Sequence, residues 1–277
     1  LYSFKMTIRQ NDKMTKYLTV VFVSFVNYSY LCFMNELPAI LVLHVRSGYE
    51  DRGAHITKMM ARLGLSFTFF TDGDICDMND NIRRKIFTGR MLDVSPALQS
   101  CTYKHLLACK LVVDSKLPGA LILEDDISLG DNFPEVLEQA LSEYRDREDT
   151  SKPAIISFEA TRLRFVPRSQ RRSGQILYPG PHDRLAGAYY INAAACRELL
   201  DFAETNKIHL PVDNLHTYLT RNGRLNYYWT EPSPAIQGSF DGTFPSSLSI
   251  RHPRLAPIAP IIWRMKYLYR RLLYFFR

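Results

Sequence analysis

The apolar run Ala120–Leu123 ends in three consecutive carboxylates, Glu124, Asp125 and Asp126. Adjacent negative charges at the end of a buried strand are costly unless a cation or a set of donors compensates them. If the strand continues, side chains alternating with period two put Glu124 and Asp126 on one side. Two such carboxylates suit a hard divalent ion whose remaining positions are filled by a diphosphate, with the ion neutralising the phosphate that leaves. The rival reading is a solvated acidic turn before the next helix.

Arg46 and Arg52 sit where the first apolar run passes into a helical pattern. Guanidinium forks suit phosphate, and helix N-termini favour anions, though exposed arginines at such places are commonly just solvated. Asp213, in the segment Pro211-Val212-Asp213, is either a first-turn carboxylate favoured by the helix dipole or a general base for an attacking hydroxyl. Cys101, His105 and Cys109 recur at i, i+4 and i+8 on one helix face. Three ligands in a row on one helix cannot converge on a single ion, so that face reads as packed core. His105 alone either contacts a phosphate or the acidic strand end, or is a satisfied core histidine. Arg162, Arg164, Arg168, Arg171 and Arg172 form a basic run without an acid.

These residues need a scaffold. Ala39–Val45 reads as a buried strand, Arg52–Leu63 as a helix stopped by Gly64, and SFTFF as a second strand closed by the acidic turn TDGD, which contains Asp72. This strand–helix–strand opening predicts an α/β, Rossmann-like fold with a mainly parallel central sheet. Asp77–Asp93 reads as loop. Ser95-Pro96 starts a helix to about Asp114, with a capping hydroxyl and a first-turn proline. After the acidic strand come a helix near Phe133–Arg145, a strand at Ile155–Phe158 and the strand–helix unit GAYYINAAACRELLDFAE. A helix begun by Pro211 and the strand LNYYW follow, then a proline-punctuated loop, EPSPAIQGSFDGTFPSS.

The 277 residues and 46% hydrophobic composition allow one large domain, expected over 34–250. Residues 1–33, a hydrophobic extension, resemble a signal peptide or borderline anchor, or are translation upstream of a start at Met34. The net charge of +7 lies entirely in residues 251–277, which hold seven of the 35 basic residues and no acid, leaving 28 basic against 28 acidic elsewhere. A neutral body argues against nucleic-acid binding. From Ile261 to Arg277 a helix would gather Arg264, Lys266, Arg270, Arg271 and Arg277 on one side, opposite Met265, Leu268, Leu272, Phe275 and Phe276. Such a basic amphipathic helix predicts either docking to an anionic membrane surface or packing on the body. Five cysteines without a CxxC pair suit free thiols in a reducing compartment.

In order along the chain, ILVLHVRSGYEDRGAHI, LGLSFTFFTDGD, CTYKH, LILEDD, GAYYI and PVD resemble the motif series of glycosyltransferase family 25, the lipooligosaccharide biosynthesis galactosyltransferases and their relatives. The resemblance spans about Pro38 to Leu248. Pro96-Ala97-Leu98-Gln99 departs from the family's Gly-Glu-Ile-Gly, and Lys104 replaces the serine before His105, so what depends on that glutamate does not carry over.

The resemblance implies a GT-A type fold and a metal-assisted transfer of a hexose, galactose in particular, from a UDP-sugar. Glu124 and Asp126 would hold a divalent metal, Mn²⁺ in particular. Arg46, Arg52, Asp72, His105 and Asp125 would face the nucleotide sugar, and Asp126 with Asp213 would act in catalysis. Glu159 and Asp183 are the other candidates for the base. The acceptor would be a lipid-linked oligosaccharide at the cytoplasmic face of the bacterial inner membrane, where the chain would be peripheral. A catalytically inactive glycan- or membrane-binding module of the same fold is the alternative, and a nucleotidyltransferase or phosphohydrolase using the same acidic strand end is a third reading.

Overall fold

The structure, a computed structural model, describes residues 37–244 and 259–276. The expected extension over 1–33 and the first part of the tail lie outside them. From Pro38 on, the described residues form one compact unit.

A seven-stranded sheet runs in the order β2-β1-β3-β7-β5-β8-β6. Its centre is β1 (Ala39–Leu43) and β3 (Gly119–Glu124), paired in parallel with Leu43 opposite Glu124. All five β1 residues are buried, which is why that run carries no polar alternation. On one side of the pair β2 (Thr68–Phe70) is parallel to β1. On the other, β7 (Ala188–Asn192) is antiparallel to both β3 and β5 (Ala154–Ser157), while β8 (Asn226–Thr230) is parallel to β5. The edge strand β6 (Leu177–Pro179) is antiparallel to β8. Strands β1, β2, β3, β5 and β8 therefore point one way, with β6 and β7 reversed, so the sheet is mixed and mainly parallel.

The expected helices form close to their sequence signals. Helix α1 (Glu50–Leu63) ends at Gly64, whose φ of 66° lets its N–H reach back to the last turn. After α2 (Asp80–Ile86), helix α3 (Pro96–Asp114) opens with the Ser95 side chain accepting from Leu98 N–H. Helix α4 (Phe133–Arg147) follows β4 (Ile127–Leu129). Helix α5 (Ala193–Asn206) is capped by Asn192, which also accepts from Ala154 N–H. Helix α6 (Val212–Arg221) starts behind Pro211.

Three expectations need correction. Asp77–Asp93 is helical rather than loop: Ile75–Asp77 and Gly89–Leu92 form 3₁₀ turns around α2, which Asn79 caps by accepting from Ile82 N–H. The loop after LNYYW contains β9 (Ala235–Gln237) and the short helix α7 (Gly238–Asp241). The strand edge β6 was not expected at all. Strand β9 pairs antiparallel with β4, Ile127 facing Gln237, in a separate ribbon that continues directly from the acidic turn.

The tail forms α8 (Ala259–Phe275). It docks on the body: Trp263 Nε1 donates to Thr161 O at 3.2 Å, and Tyr267 and Tyr274 meet Phe165 edge-on. Met265, Leu268, Leu272, Phe275 and Phe276 stay exposed. Arg251, Arg254 and Arg277 lie outside the described residues. Among the described residues no helix is long and apolar enough to cross a membrane.

Candidate active site

A cavity of about 640 Å³ opens at the carboxyl ends of β1 and β3, where open α/β sheets place ligands. Its lining joins Arg52, Glu124, Asp125, Asp126 and Asp213 with Gln237 from the ribbon.

The three carboxylates have different surroundings. Glu124 is the last residue of β3, whereas Asp125 and Asp126 make the turn into β4. Asp125 is neutralised: Arg52 Nη1 donates to its Oδ1 at 3.0 Å, and His44 Nδ1 lies 2.8 Å from Oδ2. The Arg52 guanidinium also lies over the Tyr49 ring, 4.7 Å from its centroid. Among the described residues, Glu124 meets no lysine or arginine at hydrogen-bond distance. Gln237 Nε2 donates to its Oε2 at 3.0 Å, and His105 Nε2 lies 3.3 Å from Oε1. Burial, then the Asp125 charge, pushes Glu124 up to about 7. Burial, then the Glu124 charge, pushes Asp126 up to about 7 as well. Asp126 is hydrogen-bonded by Ser239, yet its Oδ1 is buried with no hydrogen-bond partner. Two buried carboxylates with raised pKa values on the lining of one cavity, one with an orphaned buried oxygen, form a donor set that fits a hard divalent cation.

Gly187 makes the Gln237 contact possible. A Cβ there would lie 2.6 Å from Gln237 Nε2 and 2.9 Å from Cγ. The backbone of Gly187 meanwhile accepts from Glu124 N–H and donates to Glu159 Oε2.

Asp213 stands at the first turn of α6, on the cavity wall, with its Oδ2 2.6 Å from Arg162 Nη2. Burial, then the Asp183 charge, raises its pKa. The other two base candidates do not line the cavity. Asp183 is buried among Thr217, Arg162 and Arg164 and accepts from Leu185 N–H. Glu159 is fully buried, and burial raises it well above the carboxylate range.

Three residues expected to face the ligand stand elsewhere. Arg46 turns away to pair with Asp77 and Asp74, so it ties the loop after β2 to the loop after β1. Asp72 is exposed outside the cavity, and its carbonyl accepts from Lys104 Nζ at 3.2 Å. His105 is buried behind Glu124, with Nδ1 2.8 Å from the Tyr189 hydroxyl. Burial lowers it to about 3, so the imidazole is neutral.

The departures at 96–104 also have structural roles. Gln99, fully buried, accepts from Arg83 Nε at 2.7 Å and donates to Met91 O, which fastens α2 and the following turn to α3. Lys104 fills the place behind β1 and β2, donating to His44 O at 2.9 Å and Thr71 O at 3.1 Å and pairing with Asp74. The basic run after Thr161 is engaged with the protein: Arg162 and Arg164 meet Asp183, Arg171 meets Glu231, and Arg168 stacks on Phe275.

Sequence reasoning missed His44, Gln237 and Ser239. His44 directly follows the first apolar run, where its polar character at the strand end was the available signal. Gln237 and Ser239 reach the site only through the β4–β9 ribbon, which has no local signature.

Comparison with known proteins points to glycosyl transfer. The model of glycosyltransferase family 25 (LPS biosynthesis protein) matches residues 47–216. A solved glycosyltransferase involved in the glycosylation of the major capsid of PBCV-1 is similar at 9% identity, over 82% of this chain and 100% of that one, with a TM-score of 0.38. No curated protein matches.

Proposed function

The chain belongs to glycosyltransferase family 25, and from that premise we propose that it moves a hexose, galactose in particular, from a UDP-sugar to a lipid-linked lipooligosaccharide or lipopolysaccharide core acceptor. The observation that carries the proposal is that Glu124 and Asp126 both line the cavity, Asp126 Oδ1 being buried without a partner. Those two side chains would hold a divalent cation, Mn²⁺ in our reading, in a GT-A type arrangement. A cation so held would neutralise the charge that builds on the leaving UDP.

The remaining work falls to the chain's own groups. Asp125, paired with Arg52 and His44, fixes the geometry of the acidic turn. Arg52 presents its guanidinium at the same wall, where a nucleotide phosphate would find a fork-shaped donor. Gln237 and His105 hold the Glu124 carboxylate between them. Asp213 takes the proton from the acceptor hydroxyl as its oxygen bonds to the anomeric carbon and the bond from that carbon to the diphosphate oxygen breaks. Its raised pKa suits a base closer to neutrality.

The exposed Met265–Leu268–Leu272 stripe of α8, flanked by Arg264, Lys266, Arg270 and Arg271, would rest on an anionic membrane surface and bring the cavity to a lipid-linked acceptor. That address is the cytoplasmic face of the bacterial inner membrane.

Product analysis tests the reading. Incubation with a panel of UDP-sugars, Mn²⁺ and core oligosaccharide should release UDP and extend the glycan. Release of the sugar 1-phosphate would instead indicate nucleotidyl transfer, and no product from any donor would favour a binding module.

A further inference from the structure

Cys101, His105 and Glu124 bring three unlike donor atoms together, all within 4.8 Å of one another. We propose that this triad is a zinc site distinct in ligand set from the Glu124–Asp126 pair. Cys101 and His105 lie one turn apart on α3, and Glu124 meets them from the end of β3. Cys109, the next residue on that helix face, is not part of the group: it is fully buried beside Cys196. The acidic strand end supplies the third ligand that a single helix could not.

The spacing fits zinc. Zn–S near 2.3 Å and Zn–N or Zn–O near 2.1 Å in a tetrahedron require S···O of about 3.6 Å and N···O of about 3.4 Å. Cys101 Sγ lies 3.6 Å from Glu124 Oε1, and His105 Nε2 lies 3.3 Å from the same oxygen. The third edge, from Cys101 Sγ to His105 Nε2, is at most 4.8 Å and must close to about 3.6 Å around the ion.

The supporting contacts are those of a metal site. Tyr189 Oη, 2.8 Å from His105 Nδ1, fixes the ring so that Nε2 faces Glu124. Gln237 holds the other Glu124 oxygen. Cys101 and Glu124 both line the cavity, which leaves a fourth position accessible to water. A thiolate and an imidazole favour zinc over a hard ion such as Mn²⁺. Binding releases the thiol proton to solvent and leaves the neutral imidazole unchanged.

Because Glu124 belongs to both sets, zinc would withdraw it from the pair with Asp126. Zinc would therefore inhibit transfer, a consequence that rests on the proposed function, whereas binding itself does not.

The test uses the untagged full chain without donor. Equilibrium dialysis should find one zinc per chain, and Co²⁺ in its place should give a thiolate-to-cobalt charge-transfer band. Cys101→Ser should abolish that band and weaken zinc binding roughly tenfold or more while melting like the wild type. Glu124→Gln, which keeps the shape, should weaken zinc but retain its thiol. No band in the wild type, or a band that survives Cys101→Ser and is lost in Cys76→Ser or Cys109→Ser, would overturn the assignment. These readouts need no turnover, so an absence of transferase activity leaves them intact.

Discussion

Arg52 and Asp125 form a pair with 3.0 Å between Nη1 and Oδ1, and both side chains are only 9% exposed. Arg52 approaches from the first turn of α1, so the helix that follows the first strand neutralises the middle of the three carboxylates at the end of β3. Among the described residues the outer two, Glu124 and Asp126, have no such cationic partner at hydrogen-bond distance, and burial raises both, followed by the Asp125 charge for Glu124 and the Glu124 charge for Asp126.

Arg52→Ala leaves Asp125 buried with His44 alone, and breaking one side of such a pair should cost about 3 kcal/mol. Arg46, whose side chain is 46% exposed, pairs with Asp74 and Asp77 largely in solvent, so Arg46→Ala should stay within about 1 kcal/mol. Chemical unfolding of the two variants checks this. Equal losses would contradict the difference in burial.

The elevated carboxylates give a signed pH dependence. Glu124 and Asp126 move from ordinary values of 4.5 and 3.8 to about 7 in the folded chain. Between those limits the folded state binds more protons than the unfolded one, so their contribution is fully present below about pH 4 and is lost as pH rises through about 7. Without divalent ions, Asp126→Asn should flatten this part of the melting-temperature profile from pH 5 to 8. An unchanged slope would show that the two groups do not carry it.

Gly187→Ala tests the positioning of Glu124. The added methyl would strike Gln237 along its side chain and pull Nε2 from the carboxylate. Overpacking of this kind costs about 1–3 kcal/mol. Turnover should fall further than stability alone explains, with Gln237→Ala reproducing the kinetic part. Full activity in Gln237→Ala would remove Gln237 from the account.

Much of this arrangement was legible because its signals are local. Ser95-Pro96, Gly64 and the unbroken apolar runs mark ends and burial through capping and backbone geometry that neighbouring residues determine alone. The acidic turn stood out because three charges follow buried residues. The β4–β9 ribbon was illegible for the opposite reason: each strand has three residues, and Ile127 meets Gln237 across a long stretch of chain. The inward packing of His105 and the pairing of Arg46 likewise depend on Tyr189, Asp74 and Asp77, which only the fold brings near. Helix α2 was missed because it is polar, although Asn79-Asp80 carried a capping signal.

The tail makes a separate prediction. Sedimentation with anionic vesicles should bind the chain, weaken with salt, and fail for Leu268→Glu combined with Leu272→Glu, both being exposed positions. Equal binding to neutral vesicles, or no effect of the double variant, would separate α8 from any membrane role.

Asp213→Asn should lower kcat for transfer by about 10²–10⁴-fold with little change in UDP binding, as loss of a general base does. The acid limb of the wild-type pH profile should lie above the ordinary carboxylate range, because burial raises Asp213. A variant that lost UDP binding while its kcat held would assign Asp213 to the donor instead.

The central claim is that Glu124 and Asp126 together hold the cation that meets the donor diphosphate. Calorimetric titration of UDP into the full chain, with and without Mn²⁺, tests it most directly beside Asp126→Asn. The account predicts Mn²⁺-dependent binding in the wild type and its loss in a variant that folds normally. UDP binding that ignores Mn²⁺, or that persists undiminished in Asp126→Asn, would contradict it.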